Sequence, residues 1–206
     1  MMTNRTTIAG TALALAFTLT AASAALAAET TYEVDKKHSN VLFKIRHMLS
    51  KTAGQFGDFS GTVTIDPDKR DTVKVAGTIA VASIDTDEPD RDAHLLKPDF
   101  FDAATHPTIT FAADKLTNVN ADKTKGKLEG TLTMRGVTKP IVLDVEWFGT
   151  VIDPWGNSKA AFSGTTKLNR KDYGISFNKV LDSGGYLVGD EVEIEINVEA
   201  QIPKPK

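Results

Sequence analysis

The feature that most constrains this chain is an alternation of side chains between residues 38 and 48, HSNVLFKIRHM. Successive side chains of a β-strand point to opposite faces, so this segment has two unlike faces. One carries Val41, Phe43, Ile45 and His47, and the other carries Leu42, Lys44, Arg46 and Met48. The first face is apolar and ends in a titratable ring, while the second holds two long cations. The segment therefore predicts a strand that covers an apolar interior and meets water outside.

The same two-residue period recurs along the chain. We expect further strands at residues 32–35, 62–66, 73–84, 108–116, 127–134, 141–148, 160–170 and 191–202. An open antiparallel sheet of eight or nine strands would expose long edges, whereas closure into a barrel removes them. Because no internal repeat or low-complexity linker interrupts the pattern, residues 29–206 are expected to form one all-β domain.

One segment, residues 85–106, lacks this alternation. Asp87 is the expected N-cap of a helix, followed by Glu88 and Pro89, residue types favoured in a first turn. Pro98 is expected to end the helix, and residues 99–102 to form another short helical turn. We interpret the segment as a lid over one end of the barrel, held by Leu95, Phe100 and Phe101. Gly136 and Pro140 are expected to bracket a later connection between two strands.

The first 28 residues are typical of a cleaved signal peptide. They contain one cation, Arg5, and no acid, and an Ala- and Leu-rich apolar run leads to Ala25-Leu26-Ala27. We expect cleavage after Ala27 or Ala28 and export to the periplasm. A membrane anchor is the alternative, but the run is short for a spanning helix and no basic flank follows it. The chain has no Cys, which excludes a lipoprotein, disulfides and thiol chemistry.

The charge of the expected mature chain argues against some partners. Without Arg5, 23 Lys and Arg stand against 27 Asp and Glu, a net charge of −4. This balance gives no reason to expect nucleic acid or an anionic membrane surface as a partner.

The order of motifs resembles the YceI family of exported lipocalin-like proteins. The resemblance covers nearly all of residues 29–206 and rests on Tyr32-x-x-Asp35-x-x-His38-Ser39, Gly54-x-Phe56-x-x-Phe59-x-Gly61, Arg91-Asp92-x-His94-Leu95, Asp99-Phe100-Phe101-Asp102, residues 130–140 (GTLTMRGVTKP), Arg170-x-Asp172-Tyr173-Gly174-Ile175 and Val188-Gly189-Asp190-Glu191-Val192. It implies an eight-stranded antiparallel barrel that holds a long isoprenoid, such as a polyprenyl phosphate or a quinone tail. It also implies a periplasmic address, no stable membrane insertion and no catalytic residues, and it is compatible with a homodimer.

The inward-facing side chains are the candidate contacts for the lipid tail. They are Val41, Phe43, Ile45, Phe111, Leu132, Met134, Leu143, Val145, Trp147, Phe162, Ile194 and Ile196. Alternation alone leaves open whether they enclose a ligand or fill each other's space, since an eight-stranded barrel can do either. The resemblance favours a ligand.

His47, Arg91 and His94 are the candidates for a polar head group, because His47 ends the inward face of its strand and the other two lie on the expected lid. Arg135 and Arg170 could also meet a phosphate, but arginines at strand ends more often pair with carboxylates such as Asp172.

No metal or other cofactor is expected from the sequence. The four His have no H-x-x-x-H or H-E-x-x-H spacing, and their spacings span separate elements. Residues 85–96 resemble a calcium loop, but Asp90 stands where Gly is needed and Leu96 where the bidentate Glu is needed.

Three hypotheses follow. The first is a non-catalytic carrier or store of isoprenoid lipid. The second is an enzyme acting on a bound isoprenoid or quinone, with His47, His94 or Asp99 as acid or base. The third is a structural or stress-related barrel with a solid core and no ligand.

Overall fold

The computed structural model describes residues 29–66 and 69–203, with the side chains of residues 69–71 left aside. The predicted signal peptide and the centre of the 66–69 turn lie outside the described residues. The strands are β1 (Thr30–Val34), β2 (Asn40–His47), β3 (Ser50–Phe56), β4 (Phe59–Asp66), β5 (Lys69–Ala80), β6 (Ile84–Asp85), β7 (Thr108–Thr117), β8 (Lys125–Met134), β9 (Val137–Ile152), β10 (Ser158–Asn169) and β11 (Val188–Gln201). One α-helix, α1 (Pro89–Leu95), and 3₁₀ turns at Lys36–His38, Val81–Ser83 and Arg170–Tyr173 complete the elements.

These strands form a closed antiparallel barrel with eight positions around its wall, as predicted. Each position, here called a stave, is filled by one long strand or by two successive shorter ones. β1 and β2 are two halves of one stave, interrupted by the 3₁₀ turn at Lys36–His38, and β3 and β4 are two halves of the next. The sheet then runs β4-β5-β7-β8-β9-β10-β11 in antiparallel order, and β11 pairs with both β2 and β1 to close it. All connections are between neighbours, so each stave can bury its apolar face without a crossover.

The direction of the staves gives the barrel two distinct ends. One end, here called the lid end, carries the Met48–Leu49 turn, residues 81–107, the Arg135–Gly136 turn and residues 170–187. The other, here called the far end, carries the loops at residues 118–124 and 153–157.

The lid of residues 85–106 contains a helix, with two corrections to the prediction. Glu88, not Asp87, is the N-cap, since its carboxylate accepts the Arg91 amide at 2.8 Å while Asp87 has a φ of +61°. A residue in the left-handed region cannot take the extended backbone of an N-cap. Residues 99–102 form turns rather than a second helix. The lid packs on Phe56, Ile109 and Met134 through Leu95, Phe100 and Phe101.

Pro140 was expected in a connection but lies inside β9, opposite Thr131 of β8. The pairing of β9 with β10 begins only at Asp144. At Pro140, β9 therefore has a neighbouring strand on one side only. The missing N–H of Pro140 does not remove a hydrogen bond between strands there. None of the helices in the described part of the chain has the length and apolar character needed to cross a bilayer.

Candidate binding cavity

A cavity of about 600 Å³ occupies the barrel interior. All twelve predicted tail contacts line it: Val41, Phe43, Ile45, Phe111, Leu132, Met134, Leu143, Val145, Trp147, Phe162, Ile194 and Ile196. Only Val41, Met134 and Leu143 of this set are fully buried, and the rest are half-buried although they point inward. Inward side chains that remain accessible mark a hollow interior, because in a solid core they would cover each other. The solid core of the third hypothesis is therefore not what the described residues form.

The cavity wall is mainly apolar. Most of the residues that line it are aliphatic or aromatic. Among the described side chains of residues 29–66 and 72–203, every fully buried nitrogen and oxygen has a hydrogen-bond partner within the protein, so none of these atoms requires a ligand. The interior therefore fits a mainly apolar ligand.

An aromatic cluster lies at the lid end of the cavity. The centroid of the Phe177 ring lies 4.8 Å from the centroid of the Phe100 ring and 5.1 Å from that of the His94 ring. His94 also meets Phe100 edge to face at 4.9 Å, and Phe56 meets Phe101 in the same way at 6.0 Å. The rings come from β3, from the lid and from residues 174–187, so the cluster ties three separate segments together.

The three residues predicted to contact a head group, His47, Arg91 and His94, line the cavity at its lid end. The His94 Nε2 atom lies 2.8 Å from an oxygen of Asp99, and this hydrogen bond lowers the pKa of the Asp99 carboxyl. Arg91 has a different principal contact. Its Nε donates to the Thr86 hydroxyl at 2.7 Å and its Nη2 to the Thr86 carbonyl at 2.6 Å, which leaves Nη1 for other partners. Arg91 thus fixes the start of the helix to Thr86 within the lid, and it also lines the cavity.

The two other arginines differ in their access to the cavity. Arg170 lines it and is only 3% exposed, and burial lowers its guanidinium pKa. It donates to the carbonyls of Gly189 and Ile175 and lies 3.5 Å from Asp190, not beside Asp172 as expected. The reason is that Asp190 lies near the start of β11, the strand that pairs with β10 next to Arg170.

Arg135 does not line the cavity. Its Nη1 donates to the carbonyls of Phe100 and Gly174, each at 2.8 Å. It therefore links the Arg135–Gly136 turn to both halves of the lid end.

The fold, the apolar cavity and the lid match one family of proteins. The model of the YceI-like domain matches residues 32–200. The chain belongs to the YceI-like family. A UPF0312 protein of Pseudomonas aeruginosa is 38% identical over 191 residues, which cover 91% of this chain and 94% of that protein.

Solved structures agree with this family and fold. A YceI protein of Campylobacter jejuni is 36% identical, with a TM-score of 0.64 over 83% of this chain and 97% of that one. A protein of Saccharophagus degradans, described as a polyisoprenoid-binding domain, is 15% identical, with a TM-score of 0.59 over 84% of this chain and 99% of its own. The predicted family and barrel fold are confirmed.

Sequence reasoning missed a large part of the cavity wall of this YceI-like chain. The missed apolar residues include Phe59, Val63, Val75, Ile79, Leu168, Ile175 and Phe177. Ile175 and Phe177 lie in a segment without strand periodicity, so no alternation marks them. On β4, β5 and β10, Gly and Thr share the inward face with apolar residues, which weakens the signal.

A polar cluster at the far end brings Asp35, His38 and Glu199 within 4.8 Å of one another, a spacing that could hold a metal ion. The Nζ atom of Lys159, however, lies 2.9 Å from Asp35 and 2.6 Å from Glu199. These contacts lower the pKa of Asp35 to about 2 and raise that of Lys159. Lys159 already balances the carboxylates, so the cluster is a charge network at the closure of the barrel.

Proposed function

We propose that this protein binds a long isoprenoid lipid inside its barrel without chemical change, and stores or carries it in the periplasm. The observation that carries this proposal is the continuous apolar cavity lined by half-buried aliphatic and aromatic side chains. Membership of the YceI-like family supports it. The description of the Saccharophagus degradans neighbour as a polyisoprenoid-binding domain points to the same class of ligand.

The dimensions of the barrel suit a long tail. β11 has 14 residues, which at about 3.4 Å each and a tilt near 40° span about 35 Å along the barrel axis. Apolar residues line the cavity from Phe177 at the lid end to Val119 at the far end. A linear chain can therefore lie along the axis, whereas a compact ligand would leave much of the wall without contacts.

The energetics favour a reversible carrier over an irreversible trap. Moving a lipid tail from water would release about 0.8 kcal/mol per methylene, a sum far beyond the limit of observed affinities near 18–21 kcal/mol. Such a lipid otherwise lies in a bilayer rather than in water. Its transfer from the bilayer to the cavity therefore changes the hydrophobic free energy very little. Shape fit and head-group contacts then decide occupancy, and the lipid can leave again.

For the head group, we propose contacts with His47, His94 and the Nη1 of Arg91, which has no hydrogen-bond partner among the described residues; all three line the same cavity as the buried Arg170. These cationic and titratable groups gather at one end of an otherwise apolar cavity. A phosphate or a quinone oxygen would both find donors there.

Native mass spectrometry of protein purified from the periplasm, followed by organic extraction, tests the proposal. We expect a bound mass that matches a polyprenyl lipid in the extract. Protein that carries no lipid, and that fails to take up polyprenyl phosphate or quinone from detergent, would refute it. N-terminal sequencing of the exported protein tests the location, with residue 28 or 29 expected first.

The hydrogen-bonded pair of His94 and Asp99 favours one alternative, an enzyme that acts on the bound lipid. A histidine oriented by a carboxylate at a cavity edge is a common acid–base arrangement. Incubating the protein with the extracted lipid separates the two functions, since the carrier returns the lipid unchanged and the enzyme releases a product of different mass.

A further inference from the structure

Four exposed apolar side chains lie together at the lid end, and we call them the rim patch. They are Met48, Leu49, Val180 and Tyr186, of which Leu49 is fully exposed and Val180 is 74% exposed. The backbone brings them together: the Met48 N–H donates to the Leu187 carbonyl at 2.8 Å, and Val180 pairs with Tyr186 in an antiparallel bridge. The patch is thus one surface built from two turns that are distant in sequence.

The rim patch is continuous with the edge of the cavity. His47, Lys179 and Leu187 are direct neighbours in sequence of Met48, Val180 and Tyr186, and all three line the cavity. A lipid tail that leaves the cavity at this end would pass beside the patch.

The Met48–Leu49 turn is not explained by folding preferences. His47 pairs with Ser50, so the hairpin loop has only two residues, and the first of them, Met48, has a φ of +48°. Gly or Asn is favoured there, because a side chain with a Cβ is strained in the left-handed region. The chain instead places two large apolar residues in water at a strained turn, and such strain often marks a functional surface.

Three cations lie beside the patch. Arg46 donates to the Met48 carbonyl at 3.0 Å, and Lys179 lines the cavity. In the described part of the chain, neither forms an ion pair with a carboxylate. The third, Lys171, lies 5.7 Å from the centroid of the Tyr186 ring and pairs with Asp190. Residues 179–187 add one acid, Asp182. The net negative charge of the whole chain does not predict attraction to an anionic surface, but beside the patch the three cations outnumber these two acids.

We propose that the rim patch is the surface by which the protein contacts a phospholipid bilayer. The apolar side chains enter the interface while Arg46 and Lys179 meet lipid phosphates, a combination typical of peripheral membrane contacts. The bilayer is also the source of lipids that fit the cavity, and the patch adjoins the cavity edge. That isoprenoid is exchanged there rests on the proposed function, whereas the bilayer contact does not.

Flotation with vesicles of phosphatidylethanolamine and phosphatidylglycerol tests the contact. The double variant Leu49→Ser, Val180→Ser is expected to bind these vesicles about tenfold more weakly than the parent. Trp155→Ser is the matched control, because Trp155 is 80% exposed but lies at the far end, outside the cavity lining. It is expected to bind like the parent. Transfer of a fluorescent polyprenyl phosphate from the vesicles should slow about tenfold in the double variant only, with its equilibrium affinity in detergent unchanged.

Equal vesicle binding by the parent and the double variant would overturn the proposal, as would an equal loss in Trp155→Ser. A change of oligomeric state in the double variant without an effect on vesicle binding would assign the patch to a protein partner and also overturn it. If patch-dependent vesicle binding is found but no polyprenyl phosphate binds in detergent, the membrane contact stands and the proposed cargo fails.

Discussion

Single side chains on the inner wall report whether the barrel holds a ligand. Val145 and Ile194 are half-buried and face the cavity. In Val145→Phe or Ile194→Trp, the added ring is expected to enter the cavity, so the ligand-free protein should melt near the temperature of the parent. The same ring should displace part of the lipid tail and lower the recovery of lipid in native mass spectrometry.

Leu143→Phe is the matched control on the same strand. Leu143 is buried against Ala113 and Leu128, so added bulk there should overpack the wall and cost about 1–3 kcal/mol of stability. That corresponds to a melting temperature lower by several degrees, at about 2–4 °C per kcal/mol. If Val145→Phe melts as low as Leu143→Phe, the interior around Val145 is not hollow.

The predicted head-group contacts also act as single residues. Replacing both Arg91 and His94 by Ala is expected to weaken binding of phosphorylated isoprenoids by about 1–3 kcal/mol, because charge-assisted hydrogen bonds are lost, and to affect neutral isoprenoids less. Titration with both ligands measures the difference. Thr86→Val is the control, since it removes the hydroxyl that holds Arg91 without removing charge. Equal weakening for both ligands in the double variant would mean that the pair only supports the lid.

At the scale of an element, the lid depends on Arg135. Its two hydrogen bonds to the carbonyls of Phe100 and Gly174 join the lid to the β8–β9 turn. Arg135→Met is expected to leave these carbonyls without a charged donor and to speed amide hydrogen exchange in residues 96–107 and 174–187. Exchange in the barrel strands should change little. Arg135→Lys, which can reach fewer acceptors, should give an intermediate effect, and a uniform acceleration across the molecule would contradict this role.

For the whole molecule, closure of the barrel involves a charge network. β1 and β11 share only the pairs Glu33–Gln201 and Val34–Ala200, and Lys159 bridges Asp35 and Glu199 beside them. The Asp35 pKa of about 2 lies below the usual unfolded value near 3.9. This carboxylate therefore stabilises the fold above about pH 4, and its contribution is lost as the pH falls through 2.

Urea unfolding of the parent and of Asp35→Asn measures this contribution. At pH 6 the parent is expected to be more stable by about 1–2 kcal/mol, and the difference should shrink towards pH 2. Because the other carboxyl groups titrate in both proteins, the comparison isolates Asp35. A difference that is constant between pH 6 and pH 2 would contradict the link to its ionisation.

Local sequence was enough to predict which side of each strand is apolar. Alternation fixes the inward residues of β2, β9 and β11, since neighbouring side chains on a strand must point in opposite directions. The break in alternation located the lid, because a period of two and a helix cannot coexist in one segment. The order of motifs identified the family. These inferences succeeded because each depends on residues close together in the chain.

Whether the interior is hollow, and which residues meet at the lid end, depend on contacts that the folded barrel creates. Alternation shows that Val145 points inward but not whether another side chain meets it, since the width of a barrel depends on the number and stagger of all its strands. The positions of Phe177 on Phe100 and of Arg170 beside Asp190 result from contacts between segments distant in sequence. Local sequence carries no signal for such contacts, because they form only when closure of the barrel brings the segments together.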